Sequence, residues 1–270
     1  MSYTYKYPHA AITADCVIYG FDGEHLKILL IERGQPPFKG MWALPGGFMR
    51  MDETIEQTAR RELCEETGLK DVFMTQFKMF SRVDRDPRER VVTVVFTALV
   101  RPEDYVLTAG DDASNALWFD ERFLPPLAFD HAEIIEEAHK YLEELLRLKP
   151  IAFELLNKTF SMGELQRVYE EINRTSYDRR NFQRKALQSG LLQEVKSGAN
   201  VYGEIDTWDE ADSVCMSCEP PAESLSPRQS PLRTSRPGRK PNKMFTFSDK
   251  LVSKDRADDS DSSIRDIFDY

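Results

Sequence analysis

The chain is poor in the features that mark secreted and membrane proteins. Its four cysteines in 270 residues, Cys16, Cys64, Cys215 and Cys218, are too few and too scattered for a disulfide scaffold. Cys215-x-x-Cys218 lacks a second pair, so a zinc site is not expected. No apolar run approaches the roughly 20 residues that a bilayer requires. Met1-Ser2-Tyr3-Thr4-Tyr5 leads into polar sequence without the apolar centre of a secretory signal. A cytoplasmic, soluble protein with no membrane partner is the expectation. Positive charge is also scarce overall: 36 Lys and Arg against 46 Asp and Glu give a formal charge of −10. That balance argues against nucleic acid only if the charge is evenly spread, and it is not. With 41% apolar residues, the chain can bury a core, as one large or two modest domains.

What is present is concentrated in residues 47–69, GFMRMDETIEQTARRELCEETGL. Asp52 is placed to cap a helix with Ile55, Ala59 and Leu63 on its apolar side. Glu62, Glu65 and Glu66 are spaced i, i+3 and i+4, which crowds three carboxylates onto one face. Like charges so close repel, and a hard divalent cation with oxygen ligands, Mg²⁺ or Mn²⁺, turns the crowd into a site. Gly68 ends the helix as the residue after its C-cap.

The spacing is Gly47, five residues, Glu53, seven residues, then Arg61-Glu62-Leu63-x-Glu65-Glu66-x-Gly68-Leu69. This resembles a complete Nudix box, the signature of enzymes that hydrolyse nucleoside diphosphates linked to another moiety. The resemblance implies that Glu62, Glu65 and Glu66 hold the metal, with the Gly47 carbonyl as a further ligand. It also implies that Arg61 orients the catalytic glutamates, so that Glu53, Arg61, Glu62, Glu65 and Glu66 form the catalytic set. The metal would neutralise a pyrophosphate and activate water for attack on phosphorus.

Strands are expected at residues 10–21 and 26–32, joined by a turn at Asp22-Gly23, and at 72–83, 91–100 and 116–119. Asp130 with Glu133 reads as a capping box for a helix through Leu148. Strands around the box helix, with a closing helix, match an α/β/α sandwich with a mixed sheet, as in Nudix domains. In the loop Asp84-Arg85-Asp86-Pro87-Arg88-Glu89-Arg90, the three arginines Arg85, Arg88 and Arg90 are suited to grip phosphate or ribose oxygens. The loop resembles that of ADP-ribose pyrophosphatases. Asp111 and Asp112 lie in a Gly-Asp loop of the kind that carries an extra catalytic carboxylate in this family.

From Pro150 the pattern changes. Phe153, Leu155, Leu156 and Phe160 mark a short helix. Ser161-x-x-Glu164 is a capping box that launches Leu165, Val168, Tyr169 and Ile172 at helical spacing. After a turn at residues 173–176, Asp178 caps a third helix closed by Gly190, and residues 191–195 read as a strand. Helix, helix, turn, basic helix, strand is the order of a winged helix-turn-helix. On the third helix Phe182, Ala186 and Leu187 face the core, while Arg179, Arg180, Gln183 and Arg184 project toward phosphates and base edges.

A Nudix domain followed by this pattern resembles the Nudix-related transcriptional regulators, which include regulators of NAD metabolism and sugar-responsive relatives. In many of those the box has decayed; here it has not. The returning wing strand is expected at residues 238–247, where Arg239 and Lys240 join a basic run toward DNA. Residues 196–237 then form an insertion in the wing. The expected division is a Nudix domain at 8–149, a winged helix at 150–252 and an acidic tail at 253–270. The expected function is a DNA-binding regulator that senses, and with Mg²⁺ hydrolyses, ADP-ribose or a related nucleotide-sugar. Its partners would be operator DNA and a second copy in a homodimer. The alternative is a housekeeping hydrolase whose C-terminal domain does not bind DNA.

Overall fold

The computed structural model describes residues 6–109, 113–195 and 243–248. Strand β1 (Ala11–Phe21) is the axis of the first sheet. It pairs antiparallel with β2 (Leu26–Arg33) at its C-terminal end, Tyr19 to Phe21, and parallel with β6 (Val91–Val100) from Ala11 to Gly20. β5 (Thr75–Phe80) borders β6, while β3 (Trp42–Ala43) and β7 (Ala113–Asp120) pair with β2. The short β4 (Gly46–Phe48) also pairs with β1, setting Gly46 against Asp15 and Gly47 against Ala14. Strand alternation sorts β1 into two faces. Ala14, Cys16 and Ile18 face helix α1 (Ile55–Thr67) through Ala59 and Leu63. Val17, Tyr19 and Phe21 face helix α2 (His131–Leu148) through Ile134, Ile135, Ala138 and Leu142. The expected α/β/α sandwich with a mixed sheet is what forms.

Two caps differ from expectation. The N-cap of α1 is Thr54, in a capping box with Gln57, rather than Asp52. Glu53 is held in the turn before the helix by its N–H to the Arg50 carbonyl, which aims its carboxylate at Arg61 instead of continuing the helix. Asp130 precedes α2 but makes no side-chain cap. Its carboxylate is taken by Arg85, at 3.0 and 2.8 Å, and Glu133 pairs with Arg82. A charged bidentate partner outcompetes a backbone N–H.

The C-terminal unit has helices α3 (Ala152–Leu155), α4 (Met162–Ile172) and α5 (Arg179–Gln188). A three-stranded sheet orders β8 (Phe160–Ser161), β10 (Met244–Phe247) and β9 (Leu192–Val195). The Ser161–Glu164 capping box is present, and Asp178 accepts the Asn181 N–H at 2.9 Å. The returning wing strand falls where expected, with Phe247 opposite Leu192. Leu187, expected in the core, is exposed; Phe182 and Ala186 supply the buried face of α5. The 196–237 insertion, Arg239, Lys240, Asp111, Asp112, the Cys215–Cys218 pair and the tail lie outside the described residues. Leu165, Val168, Ile172, Phe182 and Phe245 join the same buried cluster as α2 and the sheet. One continuous core therefore holds the two units together, and helix α2 is sandwiched between them.

Candidate functional site

The helix α1 places its acidic face against the β4 turn. A Cβ at Gly47 would collide with the Glu62 carboxylate, so only glycine lets the backbone come this close. Arg61 sits amid the carboxylates. Its Nε pairs with Glu53, its Nη1 donates to Glu62 at 2.7 Å and Glu65 at 3.0 Å, and its Nη2 donates to the Phe48 carbonyl at 3.1 Å. Those bonds to Arg61 hold the Glu53 carboxyl down at about 2. Burial pushes Glu62 up despite Arg61. Glu66 is more extreme. Burial, with Glu62 and Asp15 nearby, raises it to about 8, although it accepts the Gly46 N–H at 2.8 Å.

Glu62 and Glu65 are thus joined by Arg61 while Glu66 turns to Gly46, so the three carboxylates share a face without converging. Among the described residues no three His, Cys, Asp or Glu side chains are grouped to hold a metal ion in this arrangement. The donor set nevertheless suits a hard cation. It is all oxygen, and two of its carboxylates are desolvated with their charged forms disfavoured, which a divalent ion would reverse.

The acidic face forms one wall of a cleft of about 460 Å³ that opens between β1, β4 and the 84–90 loop. Two of the three loop arginines line it. Arg88 is held flat by Asp86 at 3.0 and 2.7 Å. Arg85 is buried, its guanidinium bridging Asp130 and Asp15, the latter at 3.4 Å. Arg90 is not a lining residue and donates to the Arg82 and Val91 carbonyls. The sequence reading did not single out Asp15, Arg33, Phe48, Phe129 or His131, all of which line the cleft. Asp15 had a signal: it is an acid inside an otherwise apolar strand, buried in the structure. His131 accepts the Leu44 N–H on Nδ1 at 2.9 Å, which makes the ring neutral with its proton on Nε2, and burial lowers its pKa accordingly. Burial and the neighbouring Arg88 also lower Arg33. Two guanidinium groups crowd one wall and desolvated carboxylates the other, a bipolar cleft suited to phosphates with a bridging cation.

On the second unit Arg179, Arg180 and Arg184 are exposed on α5, and Gln183 is half-buried beside them. None of the three arginines takes part in an ion pair among the described residues, although salt bridges are numerous elsewhere. An N-terminal helix end adds its positive pole to that face. No helix among the described residues is long and apolar enough to cross a membrane.

The fold and site define a Nudix domain joined to a winged helix. Residues 9–138 match the NUDIX domain profile, and residues 152–201 match the NrtR DNA-binding winged helix domain. The chain belongs to the family of Nudix-domain regulators that carry an NrtR-type winged helix. It is 32% identical over 192 residues to the ADPR responsive transcriptional repressor NtrR of Acinetobacter baylyi, covering 70% of this chain and 77% of that one. Its first domain is 45% identical over 131 residues to the ADP-ribose pyrophosphatase of Methanocaldococcus jannaschii, covering 48% of this chain and 74% of that one. The fold matches the crystal structure of Shewanella oneidensis NrtR complexed with a 27mer DNA. That match has a TM-score of 0.61 at 26% identity and covers 90% of this chain and 95% of that one.

Proposed function

We propose that this chain is a DNA-binding transcriptional repressor whose Nudix domain binds ADP-ribose, or a closely related nucleotide-sugar, and hydrolyses its pyrophosphate. The observation that carries the reading is the coexistence in one chain of an undecayed acidic site and a helix face on which Arg179, Arg180 and Arg184 are exposed and make no ion pair among the described residues. Glu62, Glu65 and Glu66, with the Gly47 carbonyl, are the residues that would hold Mg²⁺ or Mn²⁺. When bound, the ion supplies charge neutralisation at the pyrophosphate and a more acidic water. Arg61 fixes the glutamates through its fork, and Glu53 in turn fixes Arg61. Arg88, with Arg33 beside it, binds the phosphate oxygens opposite. Arg85 acts from behind: held by Asp15 and Asp130, it supports the cleft wall. Cleavage breaks one phosphoanhydride bond and consumes one water, releasing AMP and ribose 5-phosphate.

Arg179, Arg180, Gln183 and Arg184 would enter the major groove, and Arg239 and Lys240 would contact backbone phosphates from the wing. A two-fold operator calls for a homodimer. Operator DNA and a soluble nucleotide-sugar as partners fit a cytoplasmic protein. The division at 149/150 separates a sensing from a reading domain.

A second reading is favoured by the continuous core. The winged helix buries apolar surface of the Nudix domain, and a hydrolase stabilised by that packing needs no DNA. One experiment separates them: binding of the pure protein to DNA from upstream of its own gene, with and without ADP-ribose and Mg²⁺. Specific binding released by ADP-ribose is the expected result. ADP-ribose consumed with no DNA bound at any salt concentration would leave only the hydrolase.

A further inference from the structure

The Nudix domain grips helix α4 at its last turn, where the chain bends toward α5. Glu171 accepts the Leu26 N–H at 3.2 Å, and its carboxylate also faces His25 at 3.5 Å and Arg122 at 3.8 Å. The Ile172 carbonyl meets the His139 Nε2 at 2.8 Å. Arg174 makes the contact of opposite charge. Its Nη1 and Nη2 donate to the Glu136 carboxylate at 3.3 Å, and Nη2 lies 3.6 Å from Glu121.

The backbone at Arg174 does not suit arginine. Helix α4 closes with the Thr175 N–H on the Glu170 carbonyl at 3.1 Å and the Arg174 N–H on that of Glu171 at 3.4 Å. Those two bonds put Arg174 at the left-handed position after the cap, which glycine usually fills. Its φ is +47°. At the ends of α1 and α5 the same chain has Gly68, at φ +78°, and Gly190, at φ +73°. A residue with a Cβ is strained in this region, and arginine offers the turn nothing that glycine lacks. What it does offer is a guanidinium. The Glu121 side chain is only 6% exposed, and a buried carboxylate is costly without a cation beside it. Glu136 lies on α2, one turn before His139. That helix begins at the cleft, where His131 is a lining residue and Arg85 holds Asp130. Four residues beyond Arg174, Asp178 caps α5.

We propose that Arg174 is a positioning residue: it anchors the turn between α4 and α5 to the Nudix domain, and so fixes how α5 is presented to DNA. A ligand in the cleft then acts on α5 through α2 and this anchor. The inference goes beyond the proposed function and rests on it only for the readout that uses DNA.

Arg174→Gly tests the anchor, because glycine suits the turn better while the guanidinium is lost. The first readout needs neither DNA nor ligand. It is amide hydrogen exchange in the full chain at Leu26, whose N–H is bound across the junction by Glu171. Exchange there is expected to rise roughly tenfold or more, while the Thr175 amide inside the turn exchanges no faster than in wild type. Glu136→Gln, at an exposed position away from the turn, is expected to speed Leu26 about threefold. The second readout is binding of DNA from upstream of the protein's own gene, with and without ADP-ribose and Mg²⁺. ADP-ribose is expected to shift the DNA affinity of Arg174→Gly by about a third of the wild-type factor or less, with hydrolysis unchanged. Leu26 exchange at the wild-type rate in both variants overturns the inference. So does a full ADP-ribose response in folded Arg174→Gly. Faster exchange at Thr175 as well as Leu26 also overturns it, since Arg174 would then be serving the turn itself. If exchange responds as expected while wild type binds no DNA, the anchor stands and the regulator reading falls.

Discussion

His139 of helix α2 points its Nε2 at the backbone carbonyl of Ile172, the last residue of helix α4, at 2.8 Å. A carbonyl only accepts, so the imidazole donates across the junction between the two units. Its Nδ1 faces Glu121 at 2.7 Å, and Arg174 reaches Glu121 and Glu136 from the far side. The Leu26 N–H is likewise bound by Glu171 of α4, at 3.2 Å. Helix α2 starts at the cleft, two residues after Phe129, and its other face packs on the winged helix. The cleft and the junction are therefore two ends of one rigid element, a physical route by which a ligand at one could bias the other.

Removing that contact should be costly. His139→Ala leaves the Ile172 carbonyl and Glu121 short of a buried donor, a loss of about 1–3 kcal/mol. Thermal unfolding should show a lower Tm, with unfolding of the winged helix preceding that of the Nudix domain in native-state hydrogen exchange. An unchanged Tm would show that the junction contributes nothing.

The state of Glu66 predicts a pH-dependent metal response. With its pKa held near 8 against an unfolded value of 4.5, the folded protein keeps this proton across the neutral range. Without a cation, its contribution to stability is present below pH 4.5 and lost as pH rises through 8. A divalent ion must displace the proton, so the Tm gain on adding Mg²⁺ should grow from pH 6 to pH 9. Glu66→Gln should flatten that growth and cut hydrolysis at least a hundredfold. An Mg²⁺ gain that is the same at both pH values, or full activity in Glu66→Gln, would remove Glu66 from the metal site.

Glu53 behaves in the opposite sense. Its folded pKa of about 2, set first by Arg61, lies below the unfolded 4.5. Its stabilisation is therefore present above pH 4.5 and lost as pH falls toward 2. Urea unfolding across pH 2–6 should show a wild-type advantage over Glu53→Gln that closes as the pH drops. A constant difference between the two curves would mean that the Arg61 contact adds nothing.

Arg180→Ala and Arg184→Ala remove exposed cations that have no partner among the described residues, so the fold should not feel them. Each should weaken DNA binding while leaving hydrolysis of ADP-ribose intact. A purely phosphate-contacting role lowers the salt slope of log K by about 1. If DNA affinity and salt slope are both unchanged, α5 is not the reading helix.

Local sequence determined the elements and their chemical type. The i, i+3, i+4 acids, Ser161-x-x-Glu164, Asp178 and the aromatic strand at 244–247 each carry their instruction within a few residues. Helices and caps obey short-range spacing, so they can be read without a fold. Asp52 and Asp130 show where that ends: each has capping chemistry, but the Thr54–Gln57 box takes the cap of α1, and the Asp130–Arg85 pair, made across the fold, takes the carboxylate of the other. The same holds for Arg85, whose side chain is spent on Asp15, 70 residues away in sequence.

Only the tertiary structure could bring Arg33, Phe48, Arg88 and Phe129 to one wall, because each comes from a different strand or loop and none carries a periodic signal. The pKa values of Glu62 and Glu66 likewise depend on burial, which depends on what packs over them rather than on their neighbours in sequence. The single core shared by α2 and the winged helix is of the same kind: amphipathic spacing says that a face is buried, while the packing of distant segments says against what.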